Sequence, residues 1–107
     1  MVERGDIIII NFDPVKGHEQ AGKRPALVIS NEKFYKIFRL AVILPITNNT
    51  KDFPFHVLLD DRTNIKGVIL CEHLRTVDLE ERKYNKVEKL PKNLLEEVLE
   101  KVSLIFQ

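Results

Sequence analysis

Residues 17–30 read GHEQAGKRPALVIS, and two folds compete for them. Gly17, Gly22 and Lys23 match the start of a phosphate-cradling loop, G-x-x-x-x-G-K, which continues with Ser or Thr and opens a helix. The next residues here are Arg24 and Pro25, followed by Ala-Leu-Val-Ile-Ser. A proline-led run rich in β-branched residues makes a strand, and the residue that would hold magnesium is an arginine. The nucleotide-binding reading fails at Arg24. What remains is a glycine-bearing loop that enters a strand over Pro25–Ser30.

The rest of the chain extends that β pattern. Asp6 to Phe12 is rich in isoleucine and stops at Asp13-Pro14, so it reads as a mostly buried strand closed by a turn. Asn31 is placed to cap one short helical turn through Phe38, with Phe34, Ile37 and Phe38 on one face. Leu40 to Ile46 is a further apolar strand, followed by the polar turn Thr47-Asn48-Asn49-Thr50. Phe53 to Asp60 alternates like a half-exposed strand, and Gly67–Glu72 and Leu74–Val77 make one or two more. After Pro91 the period changes. Leu94, Leu95, Val98, Leu99, Val102, Ile105 and Phe106 recur at helical steps, with Pro91 acceptable in the first turn. The expected fold is mainly β: a small, strongly bent barrel of about five to seven strands with a short internal helix and a C-terminal amphipathic helix.

At 107 residues the chain reads as a single domain, 1–107. A net charge of +1 supplies no whole-molecule attraction to nucleic acid or membrane. The distribution is uneven, however. Lys16, Lys23, Arg24, Lys33, Lys36 and Arg39 face only Glu19 and Glu32 between Val15 and Arg39, as a phosphate-binding edge or a solvated loop would. Cys71 is the one cysteine, which excludes an intrachain disulfide and a cysteine-rich metal site. The N-terminus has no basic leader, and the apolar run Ile7–Ile10 is too short for a membrane span, so a cytoplasmic location is expected.

Two side chains are candidates for chemistry on a phosphodiester. Arg24 carries a planar fork of donors that fits phosphate oxygens, and Pro25 fixes the backbone beside it. A surface salt bridge is the alternative. Thr47 stands directly after an apolar strand, where its hydroxyl either satisfies the turn or donates to charge developing on phosphorus.

The segments RGDIIIINFDPVKGHEQAGKRPALVIS, VILPITNNT and GVILCEHLRTVD resemble, in order and spacing, the MazF/Kid/PemK family of toxin endoribonucleases. The likeness spans almost the whole chain, and the G-x-E-Q-x-G-x-R-P core with the R-T-[IV]-D block is specific in combination. The resemblance implies an SH3-like barrel assembled as a homodimer. It implies cleavage of single-stranded RNA, usually messenger RNA, at short motifs without metal or cofactor, to a 2′,3′-cyclic phosphate and a 5′-hydroxyl. It also implies a cognate antitoxin (MazE/PemI-like) whose C-terminal segment lies across the RNA groove.

On this resemblance Arg24 and Thr47 form the catalytic pair, and His18, a candidate for general acid–base catalysis, stands where one branch of the family has a histidine. That branch also carries an arginine and an aspartate in an R-C-D-Q pattern. Here the block reads Leu70-Cys71-Glu72-His73, so the arginine is missing while Glu72 keeps a carboxylate that could act as base or orient Arg24. Glu19, Gln20, Lys23, Asn48 and His73 are the expected RNA contacts. His56 reads as a surface residue, Arg75 and Asp78 as a structural pair, and Cys71 as a small buried hydrophobe. The rival from another class is a non-catalytic, CcdB-like toxin that binds DNA gyrase through a terminal Trp-Gly-Ile, but this chain has no Trp and ends Ser-Leu-Ile-Phe-Gln. A third reading, an inert interaction module, leaves Arg24 and Thr47 without a joint purpose.

Overall fold

The isoleucine run near the N-terminus lies inside an antiparallel sheet with apolar layers on both faces. The computed structural model describes residues 1–12, 22–48 and 53–107. Strand β1 (Asp6–Asn11) sits between β2 (Lys23–Val28) and β7 (Tyr84–Lys89), and β2 in turn pairs with β3 (Leu40–Thr47). Side chains alternate across a strand, so the run feeds both layers. Ile7 joins Leu27, Leu44 and Ile46 on one face, while Ile8 and Ile10 join Ala26, Val28 and Ile43 on the other. This two-sided burial is why the segment reads as continuous apolar sequence.

Strand β3 carries two partners on its far edge. Its first half, Leu40–Ile43, pairs with β6 (Arg75–Asp78), and its end, Ile46–Thr47, pairs with β5 (Val68–Leu70). Strand β4 (His56–Leu58) completes that side through β5. The path β4-β5-β3-β2-β1-β7 is the bent small-barrel arrangement expected, with β4 and β7 left as edges among the described residues. Helix α2 (Lys92–Leu104) buries Leu94, Val98 and Val102 on the first layer, each worth about 2 kcal/mol by area removed from water. Helix α1 (Glu32–Phe38) begins as expected, with Asn31 Oδ1 accepting from the Phe34 amide at 2.9 Å.

Several elements depart from the sequence reading. Strand β7, YNKVEK, was not anticipated because it has a single aliphatic residue, Val87, which is exposed. It forms by backbone pairing with β1 and is a charged edge of the kind that resists further pairing. The expected strand over Phe53–Asp60 shrinks to His56–Leu58, since a turn from Phe53 to His56 occupies its start. On α1 the buried residue is Tyr35, whereas Ile37 and Phe38 are exposed. Pro91 is the N-cap of α2 and not part of its first turn, and Ile105 and Phe106 lie exposed beyond its end.

Candidate active site

Arg24 stands near the start of β2 and Thr47 at the end of β3. The pairing Ala26↔Pro45, Leu27↔Leu44 and Val28↔Ile43, continued by two residues, puts Arg24 opposite Thr47. Cross-strand partners share a face, so both side chains can reach one ligand atom. Both line a groove of about 610 Å³ together with Phe12, Glu72, His73 and Arg75. The same two residues line an adjoining recess of about 330 Å³ with Lys23 and Asn48. Six of the residues singled out in the sequence therefore meet along one trough. His18, Glu19 and Gln20 lie outside the described residues.

The backbone under Thr47 is held from two sides. Beyond β2, Thr47 pairs with Val68 on β5, and Gly67 just before it has φ +126°. A Cβ at Gly67 would lie 2.2 Å from the Thr47 carbonyl oxygen, so only glycine lets the two segments approach this closely. Arg24 is exposed, and among the described residues no carboxylate lies within ion-pair distance of it. The salt-bridge alternative for Arg24 is absent there, and so is an orienting contact from Glu72.

Glu72 has other partners. Its Oε2 lies 2.9 Å from His56 Nε2 and 3.6 Å from His73 Nε2. A carboxylate only accepts, so the His56 nitrogen carries the proton of the short contact. Partial desolvation pushes the Glu72 carboxyl up, but the His56 hydrogen bond, its own backbone and the two imidazoles outweigh this and hold it below the usual carboxylate range. The His56 side chain is only 12% exposed and meets the Phe53 ring edge-on at 5.3 Å. The surface role expected for His56 is thus corrected. No local motif marked it, because its partner lies 16 residues away in sequence.

Arg75 and Asp78 do not pair with each other. Arg75 Nη2 donates to the Phe12 carbonyl at 2.9 Å and its guanidinium stacks over the Phe12 ring, while Asp78 accepts from the Glu80 and Glu81 amides. Arg82 adds donations to the Asn11 and Phe12 carbonyls, and the Phe12 amide donates to the Gly22 carbonyl at 2.8 Å. The last of these bonds joins Phe12 to Gly22, and the two arginines anchor the Phe12 side. Cys71 is fully buried, as expected, and burial pushes its thiol up to about 12, which makes it inert.

Residues 3–106 match the family described as PemK-like, MazF-like toxin of type II toxin-antitoxin system. The chain belongs to this family. It is 37% identical over 110 residues to the endoribonuclease PemK of Escherichia coli, across 97% of this chain and 81% of that protein. It is 34% identical to the endoribonuclease toxin ChpB of Escherichia coli strain K12, across 98% of this chain and 94% of that one. The crystal structure of MazF from Deinococcus radiodurans superposes with a TM-score of 0.86 at 34% identity, covering 99% of this chain and 97% of that one. A MazE-MazF structure from the same organism gives 0.88 at 30% identity, over 98% and 95%. Family membership and fold thus agree with the sequence reading. Among the described residues no helix is long and apolar enough to cross a membrane.

Proposed function

We propose that this PemK/MazF-family toxin is an endoribonuclease that cuts single-stranded RNA in the Arg24–Thr47 groove, in the cytoplasm. The observation that carries the reading is that Arg24 and Thr47 line the same trough and its adjoining recess, with no carboxylate paired to the arginine among the described residues. Relatives named endoribonucleases at 34–37% identity support it. RNA carries its own nucleophile, the 2′-hydroxyl beside each phosphate, so the protein must align it, move protons and stabilise charge. The 2′-oxygen bonds to phosphorus while the bond to the 5′-oxygen breaks, leaving a 2′,3′-cyclic phosphate and a 5′-hydroxyl.

Each candidate residue then has a task. Arg24 neutralises the non-bridging oxygens, and Thr47 donates a hydrogen bond to the same oxygens. Glu72, ionised at neutral pH, accepts the 2′-hydroxyl proton. His18 supplies the proton to the departing 5′-oxygen. Lys23, Asn48 and His73 contact flanking nucleotides, as do Glu19 and Gln20. The scheme needs no metal. A homodimer, and a cognate antitoxin laid over the groove, complete the proposal; solved MazE-MazF complexes support the second.

Purified protein is expected to cut a long single-stranded RNA in EDTA. Arg24→Ala and Thr47→Ala should each lower the rate by about 10²-fold or more, the usual cost of removing a group that stabilises developing charge, while circular dichroism stays unchanged. Full activity in Arg24→Ala would overturn the mechanism, and inhibition by the chelator would overturn its metal-free character. The gyrase-binding alternative finds no support in the relatives named above, which are endoribonucleases, and the sequence has no Trp.

A further inference from the structure

The short His56–Glu72 contact has no place in the scheme above. We infer that His56 is a positioning residue for RNA cleavage, which fixes the Glu72 carboxylate through Oε2 and presents Oε1 to the substrate hydroxyl. The inference rests on the proposed role of Glu72 as proton acceptor.

The geometry is specific. His56 Nε2 and His73 Nε2 both approach the same oxygen, Oε2, at 2.9 and 3.6 Å. Among the described residues no other residue donates a hydrogen bond to Oε1. The histidine is itself restrained: its side chain is 12% exposed, the Phe53 ring packs against it, and β4 holds its backbone opposite Leu70. Glu72 is 39% exposed and sits in a turn, so without such a partner its carboxyl would rotate freely in solvent.

A purely structural purpose explains the contact poorly. The two segments are already joined by three backbone pairs between β4 and β5, and by the Cys71 amide donating to the Phe55 carbonyl at 3.2 Å. A side-chain bond at the groove edge adds little to that ladder, since an ion pair with one solvent-exposed partner contributes little to stability. What it adds is direction at the one carboxylate that, among the described residues, lines the groove beside Arg24 and Thr47. A misplaced base costs rate while leaving binding largely intact.

The test uses the full chain and an end-labelled RNA oligonucleotide spanning a cut site mapped by primer extension on a long single-stranded RNA. His56→Ala is expected to lower the single-turnover rate about tenfold or more and to change the half-saturating RNA concentration less than about threefold. His56→Gln, whose Nε2 amide can donate to the same oxygen, should recover most of the loss. Adding His56→Ala to Glu72→Gln should cost nothing further. If His56→Ala melts early, His56→Leu takes its place, being unable to donate but able to pack against Phe53. If Glu72→Gln slows cleavage while His56→Ala and His56→Leu do not, the positioning role is overturned and the Glu72 reading stands. If Glu72→Gln cleaves at the wild-type rate, the Glu72 reading itself falls. An effect of His56→Ala confined to half-saturation makes His56 an RNA contact and overturns the inference.

Discussion

Pro25 and Gly67 constrain the backbones that carry Arg24 and Thr47 to one groove, which is what their proposed joint role requires. Pro25 fixes φ one residue after Arg24, and Gly67 leaves the Thr47 carbonyl room that any side chain would take. Gly67→Ala tests the second constraint. Its φ of +126° and the 2.2 Å approach force either Thr47 or residue 67 to move. Destabilisation of about 1–3 kcal/mol is expected from strain of this kind, read as a lower melting temperature. At temperatures where the variant stays folded, single-turnover cleavage should fall at least tenfold, as misplacing a catalytic group commonly costs that much or more. Wild-type cleavage in folded Gly67→Ala would mean that Thr47 tolerates displacement. Arg24 and Thr47 could be picked out in the sequence because each stands at the end of a strand pattern, and Glu72 because it keeps a carboxylate in the block that resembles the family's. His56 and Gly67 could not, since their importance lies in atoms that only the folded sheet brings near.

Secondary-structure elements were legible where burial imposes a period. Strands β1, β2 and β3 and helix α2 each bury one or two apolar faces, and their sequences repeat accordingly. Strand β7 has no such face to declare. Its Glu88 instead accepts from the Asn64 and Ile65 amides, a tertiary contact invisible to any local pattern. Helix α1 shows both cases, since its start was legible from Asn31 while its buried face was not. A helix of 7 residues is too short to be stable alone, so its cap and Tyr35 must hold it. Asn31→Ala is expected to cost about 1 kcal/mol in a denaturant melt, the usual cost of a lost N-cap bond. RNA cleavage should be unchanged, because α1 does not line the groove. A drop in cleavage at full stability would place α1 closer to the chemistry than the structure does.

For the molecule as a whole, a net charge of +1 leaves electrostatic attraction of RNA to local charge. The described cations of the basic stretch between Val15 and Arg39 fall on two surfaces. Lys23 and Arg24 line the trough, whereas two cations of the α1 region have partners of their own: Lys36 pairs with Glu32 at 3.9 Å, and Arg39 lies over the Tyr35 ring at 5.5 Å. The salt dependence of binding should separate the two. For single strands, each phosphate neutralised adds about 0.7 to the slope of log affinity against log salt. An oligonucleotide with a 2′-deoxyribose at the cut site cannot be cleaved and can be followed by fluorescence anisotropy. Arg24→Gln should weaken its binding and reduce the slope by about 0.7, as the loss of one phosphate contact requires. Lys36→Gln, which removes the same charge from α1, should leave affinity and slope alone. Equal effects from the two variants would mean that binding follows total charge and not the groove, and the Arg24–Thr47 trough would lose its claim to the scissile phosphate.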